Sequence, residues 1–128
     1  MYCLYNFKTR GIGVISDINI NADTLIGNYI SKNEIISSQS RLIWDGWIET
    51  NPLGRYINHN SNSNLYCVKK NNIIQVYSKY EIDKDTELTV NYMEIIKLIN
   101  LPHELAVSYK IIDFDYIEEK IVINKSII

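Results

Sequence analysis

Arg55-Tyr56-Ile57-Asn58-His59 and, further along, Glu87-Leu88-Thr89-Val90-Asn91-Tyr92 decide how this chain is read. The first stretch ends in Asn58-His59, a polar dipeptide that by itself suits a turn. The second is a β-prone run that closes on an aromatic residue. Upstream of both stands Gly11-Ile12-Gly13-Val14. Its glycines lack a Cβ and so permit a close approach of backbone to a ligand, or a tight turn between strands. A dinucleotide-binding reading of them fails. The third glycine is missing, no convincing strand precedes, and a strand follows where a helix belongs.

Outward from these stretches, most of the chain reads as short strands. Val14–Ile18 and Leu25–Ile30 flank the turn-forming region from Asn19 to Asp23, and residues 41–49, with Trp44 and Trp47, carry Asp45-Gly46 as a hairpin turn. Leu65–Val68 and Ile73–Tyr77 flank a second hairpin candidate, Lys69-Lys70-Asn71-Asn72, and Leu88–Tyr92 follows Asp83-Lys84-Asp85 as a further strand. The Asn- and Ser-rich stretch from Asn60 to Asn64 reads as a loop. Beyond Tyr92, Met93–Leu98 and His103–Ile112 predict at least one helix, with Pro102 breaking any continuous one. The forecast is a single domain over 1–128, mostly β (α+β), with a helical C-terminal segment.

Composition limits the function classes. The 128 residues carry 46% hydrophobic and 22% charged residues, which suits one folded domain and argues against disorder. A net charge of −2 has the wrong sign for a protein that neutralises phosphates, so no nucleic-acid partner is expected. It is compatible with a basic peptide. No apolar run reaches the length of a membrane span, and the N-terminus lacks the pattern of a secretory signal. Cys3 and Cys67 fit no metal-ligand spacing and read as reduced thiols or buried apolar residues, so the expected location is intracellular, cytoplasmic or nuclear.

Together and in this order, the three stretches resemble the signature segments of the SET-domain protein-lysine methyltransferases. The resemblance covers residues 8–93 and leaves 94–128 as a closing segment. It implies several short sheets and a knot-like crossing, with the segment around Asn58-His59 threaded beneath the one ending in Tyr92. It implies S-adenosylmethionine as cofactor and a protein lysine, with a histone tail the most natural substrate, as methyl acceptor. In the family the glycine segment, here Gly11, Ile12 and Gly13, lends backbone groups to the cofactor. Asn58 matches the asparagine that contacts the cofactor's amino-acid end, and His59 the histidine whose backbone pairs with the adenine edge. Arg55 is placed to reach the cofactor carboxylate or to make a structural ion pair.

Tyr92 matches the catalytic tyrosine, and Tyr29 the place of a second channel tyrosine; Tyr29 also suits a core or surface position. Tyr66 is a third candidate, Trp44 and Trp47 suit the core or the wall of a peptide groove, and Glu87 suits a local cap or pair. The chain departs from many chromatin-directed members at Ser61, where they carry a zinc-binding cysteine, and no cysteine triplet follows Tyr92. No metal site is therefore expected. Tyr109, Phe114 and Tyr116 are then candidates to close the site. Small stand-alone domains of this kind look like viral and bacterial members, and a host nucleus would be the location of a viral one. So short an insert between Tyr29 and Arg55 could leave the groove to be completed by a homodimer. The alternative to an enzyme is a catalytically silent SET-like module that binds a peptide or protein.

Overall fold

The structure is a computed structural model that describes residues 1–8, 11–32, 42–50 and 52–102, with the backbone alone for 42–44. Strands dominate it. β1 (Tyr2–Phe7) and β2 (Gly11–Ser16) form an antiparallel hairpin in register from Tyr2↔Ser16 to Phe7↔Gly11. β3 (Leu25–Lys32) follows, then the short pair β4 (Leu42–Trp44) and β5 (Trp47–Glu49). A single helical turn, α1 (Leu53–Tyr56), runs into the two-residue strand β6 (Asn58–His59). β7 (Leu65–Lys70) and β8 (Ile73–Ser78) form the second long hairpin, ahead of β9 (Glu87–Val90) and helix α2 (Tyr92–Ile99).

These strands make two sheets, one of four in the order β1-β2-β9-β6 and one of five in the order β4-β5-β3-β8-β7. Among the described strands every pairing is antiparallel except β6 with β9, which is parallel. Parallel strands cannot be joined by a tight turn and need a crossover. Here the β7–β8 hairpin lies in the connection between them.

The core sits where the sheets and α1 meet. Along β8, Ile74, Val76 and Ser78 point inward while Ile73, Gln75 and Tyr77 are half-buried, the two-residue alternation of a one-sided strand. Val14, Leu53, Ile57, Leu65, Leu88 and Val90 fill the same interior, each at most 2% exposed. Buried serines satisfy the loops: the Ser16 hydroxyl donates to the Asp83 carbonyl at 2.8 Å and accepts from the Thr86 N–H at 3.1 Å.

Most predicted strands are present, with shifted ends. At Asp45-Gly46 the φ angles are +50° and +83°, the left-handed pair that a tight hairpin demands. β7 and β8 run further than expected and leave only Asn71-Asn72 as their turn, with Asn71 at φ +54°. Three features differ more substantially. β1 is a strand that the sequence reading did not contain, so Gly11-Ile12-Gly13 lies within β2 rather than in a turn. α1 is also new. Tyr92 opens helix α2 instead of ending β9, because the Asn91 side chain caps the helix by accepting the Met93 N–H at 2.9 Å. The expected C-terminal helix is α2, whose end is set by Asn100 at φ +55°. Tyr109, Phe114, Tyr116 and the forecast over His103–Ile112 lie outside the described residues.

Candidate functional site

The parallel pair brings the two deciding stretches together. Asn58 pairs with Thr89 and His59 with Val90, and the Asn60 N–H continues the ladder to the Val90 carbonyl at 3.0 Å. A third asparagine fastens the crossing. The carboxamide of Asn64 donates to the Glu87 carbonyl at 2.8 Å and accepts the Thr89 N–H at 2.9 Å, so both faces of a buried side chain are used on β9. The loop reading of 60–64 had assigned Asn64 no role; a buried amide inside a polar loop is hard to foresee from one sequence.

Tyr92 is tied to the same segment through two atoms. Its backbone N–H, one of the donors that a helix start leaves unsatisfied, points to His59 Nδ1 at 2.9 Å. Nδ1 therefore accepts and carries no proton. The Tyr92 hydroxyl donates to the Ile57 carbonyl at 2.8 Å, and the His59 and Tyr92 ring centroids stand 5.0 Å apart. Both side chains are buried. The knot-like expectation thus takes concrete form as two segments paired in parallel, with Tyr92 reaching back to residue 57.

Tyr29, on β3, is 3% exposed. Burial pushes its phenol well above the usual tyrosine range, and the hydroxyl of Tyr92, the thiol of Cys67 and the carboxylates of Glu49 and Glu94 push it the same way. The two candidate tyrosines thus share one electrostatic neighbourhood. Helix α1 is seated against β3 at this point because a Cβ on Gly54 would run into the Tyr29 carbonyl. Thr50 adds to the seating: its hydroxyl reaches the Tyr29 carbonyl at 2.8 Å and accepts the Gly54 N–H at 3.2 Å.

The glycine segment meets Asn58 from the other side. A Cβ on Gly13 would fall 2.7 Å from Asn58 Nδ2, 2.8 Å from Glu87 Oε2 and 2.8 Å from the Phe7 ring. Only glycine lets the three groups converge there. Asn58 Nδ2 donates to Glu87 Oε2 at 2.8 Å. Glu87 was read as a local cap or pair; its partner Asn58 is instead 29 positions away in sequence. Gly11, at φ +85°, and the 44%-exposed Ile12 precede Gly13 on the same strand.

Other candidates stand elsewhere. Arg55 Nη1 lies 4.0 Å from Glu49 Oε1, the structural ion pair that the sequence allowed. The Tyr66 hydroxyl donates to Asp23 at 3.0 Å and its ring stacks on Tyr77, so it faces away from the pair. Trp47 is buried in the core. Sequence reasoning passed over Glu49, Glu94 and Cys67, which only the tertiary fold gathers around Tyr29.

A SET-domain family model matches residues 39–93. That match spans less than half of the 128 residues and is a likeness to the SET domain. Among solved structures it is similar to a candidate histone methyltransferase of Plasmodium falciparum, with 22% identity and a TM-score of 0.49 over 70% of this chain and 90% of that one. It is also similar to KRYPTONITE, solved with methylated DNA, a histone H3 peptide and S-adenosylhomocysteine, with 18% identity and a TM-score of 0.50. That match covers 70% of this chain but 22% of KRYPTONITE. No curated protein matches the sequence. The fold is accordingly the mostly-β fold of SET domains.

Proposed function

We propose that this protein transfers methyl groups from S-adenosylmethionine to a lysine side chain of another protein, with a histone tail as the first substrate to test. One observation carries the reading: buried Tyr92 is held to residues 57–59 through both its N–H and its O–H. A phenol fixed beside an Asn-His segment is what the reaction needs. A free lysine titrates near about 10.4, so its amine must shed a proton and its water before it attacks. The Tyr29 and Tyr92 rings supply a dry wall that favours the neutral amine. The Tyr92 oxygen and nearby carbonyls orient it. Orientation of this kind lowers a barrier by on the order of 7–11 kcal/mol.

The donor fits the residues present. Gly13, Asn58 and Glu87 converge in a contact too tight for a Cβ, and its amide and carboxylate suit the ammonium of an amino acid. Gly11, Ile12 and Gly13 would lend backbone groups to the cofactor, Asn58 would hold its amino-acid end, and the His59 backbone would meet its adenine. When bound, the cofactor supplies an electrophilic methyl on a sulfonium. Everything else is binding, alignment and exclusion of water by this chain.

The test is incubation of histone H3 peptides with the protein and isotopically labelled S-adenosylmethionine, followed by mass spectrometry, with calorimetry of S-adenosylhomocysteine alongside. Binding with label on a lysine is the expected result. No affinity for the cofactor product would overturn the reading and leave a silent SET-like module that binds peptides.

A further inference from the structure

We infer that Glu87 is a positioning residue whose carboxylate fixes the Asn58 carboxamide, so that the site presents an acceptor to the α-ammonium of the cofactor. The inference rests on the methyltransferase reading and deepens it.

A carboxylate can only accept, so the amide end facing it must be the –NH2, and the 2.8 Å contact from Nδ2 to Oε2 sets the amide's orientation. Oδ1 is then the end left for a ligand. A half-buried, charge-assisted bond of this sort is stronger than one between neutral groups and resists a flip. The backbone fixes both partners as well. Asn58 is paired to Thr89 and Ile15 to Glu87, while the Asn64 amide holds the Glu87 carbonyl at 2.8 Å. Three neighbouring strands, β2, β9 and β6, thus each bring one group to a single contact: Gly13, Glu87 and Asn58. The absence of a side chain at Gly13 keeps that contact closed against the strand that carries the glycine segment. The negative charge favours a cation beside it and disfavours the cofactor's own carboxylate, so it also sets which way round the amino-acid end lies.

The experiment compares the full-length wild type with Glu87→Gln and Gly13→Ala by calorimetry against three ligands. These are S-adenosylhomocysteine, its analogue lacking the α-amino group, and 5′-methylthioadenosine, which lacks the whole amino-acid end. The wild type should prefer S-adenosylhomocysteine to the deaminated analogue. Glu87→Gln should bind S-adenosylhomocysteine roughly tenfold more weakly, the scale of one lost interaction with a charged group. It should also lose that preference and hold 5′-methylthioadenosine as the wild type does. Gly13→Ala, whose Cβ displaces both partners, should also bind S-adenosylhomocysteine more weakly. Unchanged affinity in Glu87→Gln, an equal loss for all three ligands, or a wild type indifferent to the amino group would each overturn the role of Glu87. A wild type that binds none of the ligands would fail the methyltransferase reading itself, and the inference with it.

Discussion

Tyr92 works through two atoms, and they can be separated by mutation. Its N–H holds the start of α2 to His59 whatever the side chain, while its hydroxyl alone reaches the Ile57 carbonyl. Tyr92→Phe should therefore cost only about 1 kcal/mol of stability in urea unfolding. Methyl transfer should fall on the order of a hundredfold, as when one oriented hydrogen-bonding group leaves an active site. Undiminished transfer would remove the phenol from the chemistry. A second residue-scale effect concerns pH. Burial, reinforced by Glu94, pushes the Cys67 thiol far above the usual range, and Tyr29 is raised likewise. Both groups keep their protons in the folded state at pH values where the unfolded chain has lost them. Their stabilisation is thus complete below the unfolded pKa values and declines as pH rises beyond them. The wild type should lose stability relative to Cys67→Ala by up to about 1.4 kcal/mol per pH unit once pH exceeds about 8.5. Urea midpoints at pH 7.5 and 10 measure this, and parallel curves for the two proteins would contradict it.

Elements fix what residues do, and β9, paired with β2 and β6 in its sheet, is also held by one side chain from outside it. Asn64→Ala would strand the Glu87 carbonyl and the Thr89 N–H in the interior. With each lost partner worth roughly 1–3 kcal/mol, the expected destabilisation is about 2–6 kcal/mol, read from denaturant unfolding. A loss under half a kcal/mol would mean that water replaces the amide. The strands of the two hairpins were legible in the sequence because alternation and turn residues are local signals: Asp45-Gly46 and Asn71-Asn72 mark their own turns. β1 was not, since its central residues are exposed on both faces and offer no alternation to read. α1 escaped because a single turn has no period, and its placement depends on Gly54 fitting against a distant carbonyl. That the segment around Asn58-His59 meets the one ending in Tyr92 came from resemblance alone, and the pairing with Thr89 and Val90 from the structure. Long-range contacts leave no mark in either stretch taken singly, which is also why Asn64, Glu49 and Glu94 went unseen.

At the scale of the whole molecule, any ligand held between β2, β6 and β9 clamps three strands at once. S-adenosylhomocysteine at a hundred times its dissociation constant should stabilise the fold by about 2.7 kcal/mol. That corresponds to a rise in melting temperature on the order of 10 °C for a domain of this size, measurable by thermal-shift fluorimetry. A flat response would mean that the cofactor does not bind the native state. The connection between β6 and β9 has one more consequence. Because the β7–β8 hairpin separates Asn58 from Tyr92 along the chain, a single cut at the exposed Asn71-Asn72 bend would put these residues on different polypeptides. Neither fragment would then carry both segments of the candidate site. Activity would depend on the halves finding each other, which makes that bend the natural place to divide this protein into a reporter whose signal returns only on reunion.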